Sequence, residues 1–155
     1  MINVPLFDLH GVTDNKNLLE LVKQVIESNS HILGNNVKHF ENNFAEYIGT
    51  KYCLGVANGT DALIIALRSL EVDSNSTVAT VANAGFYSSA ALKQIGANVI
   101  YIDVDESSML IDIKELVKNL TQYKINVLIV THLYGQVVNM SEIIELSKKY
   151  NFKII

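Results

Sequence analysis

Residues 57–63, Ala-Asn-Gly-Thr-Asp-Ala-Leu, join an apolar run at Tyr52 to Ala57 to a second apolar run at Leu63 to Leu70. The first has the length and composition of a buried strand and the second the spacing of a helix, so the link reads as a strand-to-helix turn. A Gly-Thr pair at such a turn can hold an anion. Gly59 lets the backbone approach a ligand, Thr60 offers a hydroxyl, and the first N–H groups of the helix have no partner inside it. The same residues also make an ordinary turn in which Thr60 or Asp61 caps the helix, and both readings stand at this level. The further glycines of the dinucleotide fingerprint and the Gly-Lys-Ser/Thr of a Walker loop are absent, which argues against a nucleotide cofactor.

Outward from this turn the chain alternates strand and helix. Strands are expected at Tyr52–Ala57, Thr77–Val81, Val99–Ile102, Val127–Thr131 and Phe152–Ile155, all short and apolar. Helices are expected at Thr60–Leu70, Gly85–Ile95, Asp112–Leu120 and Ser141–Tyr150, the third with Asp112 and Glu115 spaced as a capping box. Strands without polar alternation are buried on both faces, which predicts an α/β protein with a parallel sheet between layers of helices. Upstream, residues 1–12 read as an extended arm. A helix from Thr13 to Ser28 follows, then a loop with His31 and the turn residue Gly34, then a helix at Val37 to Ile48 closed by Gly49.

Hydrophobic residues make up 49% of the 155-residue chain and charged residues 18%, a balance that supports a buried core and argues against disorder. A formal net charge of -4 with scattered lysines leaves no basic footprint, so nucleic acid and anionic membrane surfaces are poor partners and a small ligand a better one. The single cysteine, Cys53, excludes an internal disulfide and reads as a small strand residue. The opening Met-Ile-Asn-Val-Pro has neither a basic start nor an apolar core, so a cytoplasmic protein is expected.

Parallel sheets bind ligands at the carboxyl ends of their strands. Asn58–Asp61, Ala82–Tyr87, Asp103–Asp105 and His132–Gln136 fall there. Phe86 and Tyr87 could stack on a flat ring or serve as core aromatics at a helix start. Asp103 and Asp105 are expected to cap the following turn rather than pair on a metal, and His132 to be a hydrogen-bonded strand-end histidine. Lys148-Lys149 reads as the solvated C-terminal end of a helix.

The order Phe44-Ala45-Glu46-Tyr47-Ile48-Gly49, Ala57 to Leu63, Gly96-Ala97-Asn98-Val99-Ile100-Tyr101-Ile102-Asp103-Val104-Asp105 and His132-Leu133-Tyr134-Gly135-Gln136 resembles the DegT family of sugar aminotransferases. The resemblance runs from about Val4 to Ile155. It implies the aspartate-aminotransferase fold, a three-layer α/β sandwich with a mostly parallel sheet. Residues 1–50 would be the arm and helices, and residues 51–155 an incomplete large domain that binds pyridoxal 5'-phosphate. It further implies a nucleotide-sugar substrate, an amino-acid donor expected to be glutamate, a role in amino-sugar and surface-polysaccharide biosynthesis, and a homodimer.

By the resemblance, Gly59, Thr60 and Asp61 would hold the cofactor phosphate and Phe86 or Tyr87 would lie over its ring, although the family's commonest aromatic stands at the position of Gly85. His132–Gln136 would be structural, and the segment His31–Val37 would lie near the substrate entrance. The acid that pairs with the pyridine nitrogen and the Schiff-base lysine have no counterpart in this sequence, so the chain is expected to bind the cofactor weakly and not to transaminate alone. Two other readings stay open: a non-catalytic cofactor- or partner-binding module derived from such an enzyme, and an unrelated doubly wound protein for a nucleotide or flavin.

Overall fold

The computed structural model describes residues 15–155, and the arm expected at residues 1–12 lies outside them. Contacts divide the chain into two units, Met1–Gly55 and Val56–Ile155.

The first unit contains helices α1 (Asn15–Glu27) and α2 (Asn35–Ile48). Gly34 ends the turn between them, and a Cβ there would lie 2.6 Å from the Ser30 carbonyl oxygen, a contact only glycine permits. The α2 helix closes as its sequence predicts. Gly49 is left-handed at φ 77, its N–H donates to Ala45 and Glu46 carbonyls, and Thr50 N–H donates to Ala45 O. Phe40 and Phe44, one turn apart, stack with ring centroids 5.5 Å apart.

The expected strand at Tyr52–Ala57 does not form. A strand exists only by pairing, and this segment has no hydrogen-bonded neighbour in the sheet. The Glu41 carboxylate on α2 instead takes the Gly55 N–H at 2.7 Å, a charge-assisted bond in place of a ladder bond. Tyr52 and Leu54 are left exposed.

The second unit is a four-stranded parallel sheet with helices on both faces. Its elements in chain order are α3 (Gly59–Ser69), β1 (Thr77–Val81), α4 (Tyr87–Ile95), β2 (Asn98–Ile102), α5 (Ile113–Gln122), β3 (Val127–Leu128), α6 (Met140–Tyr150) and β4 (Lys153–Ile154). The strand order is β2-β1-β3-β4 and every pair is parallel. The ladder between β3 and its neighbours continues past the strand proper, since Ile129 N–H donates to Ala79 O at 2.9 Å and Val130 N–H to Ile155 O at 2.8 Å.

Alternation along β1 divides the core. Val78 faces α3 and α4, where it joins Leu67, Ala91, Leu92 and Ile95, and Ala79 and Val81 face α5 and α6 with Leu116, Leu120 and Ile143. The crossover through α4 leaves β1 on one side and the crossover through α5 returns on the other. The gap between β1 and β3 at their carboxyl ends is therefore the switch point of the sheet.

Two local expectations are corrected. The α3 helix is capped by Asn58, whose side-chain oxygen accepts from Asp61 N–H at 2.9 Å, and not by Thr60 or Asp61. Asp112 caps α5 through Lys114 and Glu115 N–H groups, but Glu115 does not complete a capping box. Its carboxylate binds Lys118 Nζ at 3.0 Å, because Asp112 N–H is already spent on Asp103 O.

Candidate functional site

A cavity of about 800 Å³ opens at the switch point. One side is the first turn of α3 with its cap, residues Asn58 to Asp61, together with Leu63. Facing it are Ala84, Tyr87 and Ser88 from the end of β1 and the start of α4, and the floor is Ile129 to His132 beyond β3. The volume lies in the range of about 300–1,000 Å³ common to small-molecule sites.

Gly59 and Thr60 form the side of the cavity that carries open backbone donors. Their backbone N–H groups have no partner among the described residues, and a Cβ at Gly59 would meet nothing within 4 Å. Asp61 is used differently from Gly59 and Thr60. Its N–H and carboxylate are both engaged by Asn58, the carboxylate at 3.0 Å from Nδ2, so it serves the cap that sets the start of the helix. Among the described residues no lysine or arginine lines the cavity. An anion there would be held by neutral donors and the positive ends of helices.

Phe86 and Tyr87 separate in the structure. Phe86 is the N-cap of α4 in the left-handed region at φ 69 and does not line the cavity, whereas the Tyr87 ring does. Gly85 has φ +66, and a Cβ on it would lie 2.8 Å from Cε2 of Tyr87. The Tyr87 ring thus fills the space in which a side chain at position 85 would begin.

His132 lines the floor, with Nδ1 accepting the Val138 N–H at 3.2 Å. That bond puts the proton of the neutral ring on Nε2. Asp103 and Asp105 stand apart from this cavity and act as local acceptors. Asp103 Oδ1 takes the Val104 N–H, and Asp105 Oδ1 takes the N–H groups of Ser107 and Ser108. The Ser107 hydroxyl and these turn N–H groups lower the Asp105 carboxyl to about 2. In the first unit, His31, Gly34 and Val37 line a smaller cleft of about 280 Å³.

Ser88 and Thr131 are cavity residues that sequence reasoning passed over. The signal for Ser88 was a polar residue three and four places before Ala91 and Leu92, on what is otherwise an apolar helix face. Thr131 lay at the far end of an expected strand and carried no signal of its own.

A family model described as the DegT/DnrJ/EryC1/StrS aminotransferase family matches residues 12–155. The chain belongs to this family. Membership removes the reading of an unrelated nucleotide or flavin protein. Among relatives of the family, the chain is 34% identical over 154 residues to the dTDP-3-amino-3,6-dideoxy-alpha-D-galactopyranose transaminase of Aneurinibacillus thermoaerophilus, covering 98% of this chain and 42% of that one. The aminotransferase from Psychrobacter cryohalolentis superposes with a TM-score of 0.84 at 28% identity, covering 92% of this chain and 36% of that one.

The structure of NtdA from Bacillus subtilis with bound cofactor PMP superposes with a TM-score of 0.83 at 23% identity, covering 97% of this chain and 35% of that one, a likeness of fold. The chain thus spans less than half the length of these proteins. No described helix is long and apolar enough to cross a membrane.

Proposed function

We propose that residues 56–155 form the phosphate and ring side of a pyridoxal 5'-phosphate site. The enzyme would move an amino group from an amino acid, with glutamate the expected donor, to a nucleotide-linked ketosugar for amino-sugar and surface-polysaccharide biosynthesis. It would work as a homodimer. The observation that carries this reading is the cavity at the switch point, with the open first turn of α3 on one wall and the Tyr87 ring on another.

Gly59 and Thr60 N–H groups and the Thr60 hydroxyl would bind the phosphate, and the α3 dipole would offset its charge. Asp61, tied to Asn58, would set the helix start rather than touch the phosphate. Tyr87 would stack on the ring in preference to Phe86, which lies off the cavity. His132 would present Nε2–H as a fixed donor on the floor. Bound there, pyridoxal phosphate supplies an electron sink for the carbon that exchanges its amino group.

Since no lysine lines the cavity among the described residues, residues 1–155 on their own would bind the cofactor without turning over. The test is to assay the purified chain for pyridoxal-phosphate binding by absorbance and for amino transfer from glutamate. Saturable binding with no turnover is expected. Turnover by this chain would contradict the account of the missing lysine, and no saturable binding would contradict the cofactor site.

A further inference from the structure

We infer that Ser88 is a further phosphate-binding group of this cavity, its hydroxyl donating to the same anion that the first turn of α3 receives. The inference rests on the cofactor reading above. Ser88 occupies the second position of α4, whose N-cap Phe86 supplies no side-chain acceptor. It is 5% exposed and lines the cavity; no hydrogen bond of its hydroxyl is found among the described residues, and its oxygen is not one of the sealed unpaired atoms, so it opens onto the cavity. Serines within helices commonly bond back to a carbonyl one turn earlier, and a hydroxyl that instead opens onto a cavity is suited to a ligand.

Its direction follows from the helix. Ala91 and Leu92, three and four residues on, lie on the same face as Ser88 and pack in one cluster with Leu63 and Leu67 of α3. Ser88 therefore stands on the α4 face turned to α3, at the end where Gly59 and Thr60 open onto the cavity. The neighbouring Tyr87 starts roughly a quarter-turn away around the helix and lines another part of the same cavity. With no cation on the cavity wall among the described residues, a phosphate depends on neutral donors, and Ser88 adds one beside the N–H groups of a second helix start.

The experiment titrates the full 155-residue chain with pyridoxal phosphate, and with pyridoxal as the phosphate-free probe, following cofactor absorbance. Wild type is compared with Ser88→Ala, Ser88→Thr and Ser89→Ala. Ser89 is the control because its hydroxyl already accepts from Tyr101 Oη at 2.8 Å. Ser88→Ala is expected to weaken pyridoxal-phosphate binding about tenfold with little change for pyridoxal, while Ser88→Thr and Ser89→Ala stay near wild type. Melting curves by circular dichroism check the fold, and Ser88→Cys gives the same comparison should the alanine variant not fold. Equal phosphate preference in wild type and Ser88→Ala would overturn the role of Ser88 and leave the cofactor reading standing. A wild-type chain that does not distinguish the two probes would overturn both.

Discussion

Thr80 carries a cost with no visible return. It is fully buried in β1 and its hydroxyl has no partner among the described residues. Thr80→Val keeps the branched shape and removes the orphaned oxygen, and is expected to raise stability by about 1 kcal/mol in denaturant unfolding. A loss of stability would mean that the hydroxyl is bonded in solution. Asp105 gives a second residue-scale test. Its folded value of about 2 lies below the ordinary 3.8, so its contribution is present above about pH 4 and is lost as pH falls through 2. A carboxyl-carbon NMR titration is expected to place its midpoint near 2, and a midpoint near 3.8 would show that the turn does not hold the carboxylate.

At the scale of elements, α5 separates two capping arrangements. Asp112→Ala removes an acceptor from two N–H groups and is expected to cost about 1 kcal/mol. Glu115→Ala breaks an exposed pair with Lys118 and is expected to cost less than about 0.5 kcal/mol. Equal losses would restore the capping box. This helix was legible in the sequence because its apolar period and Asp112 are local signals, and the closure of α2 at Gly49 was legible for the same reason. Tyr52–Ala57 was not legible, because apolar composition says nothing about which partner takes the backbone, and Glu41 fourteen residues away takes Gly55. The division of roles between Phe86 and Tyr87 was hidden too, since it depends on left-handed backbone at Gly85 and Phe86. For a bulky residue that conformation costs about 1–2 kcal/mol and has no sequence signature.

For the second unit as a whole, the strand order β2-β1-β3-β4 matters more than any single contact. It sets the switch point between β1 and β3, and so brings residues 58–63, 84–88 and 129–132 around one cavity. The list of strand ends read from the sequence held much of that cavity but mixed in Asp103 and Asp105, which the topology carries to the outer strand β2 and its following turn. Alternating strands and helices told the class of fold; the order of strands that chooses among the loops did not show in the pattern.

In the proposed site the cavity binds the phosphate of a pyridoxal cofactor at the start of α3. The measurement that bears on it most directly is an amide proton–nitrogen shift map of the chain with pyridoxal phosphate, set against the map with pyridoxal. Shifts are expected to centre on Gly59 and Thr60 and extend to Ser88 and Thr131, with those at Gly59 and Thr60 depending on the phosphate. Shifts confined to lysine-bearing surfaces away from the cavity, or the same at Gly59 and Thr60 with either ligand, would contradict it.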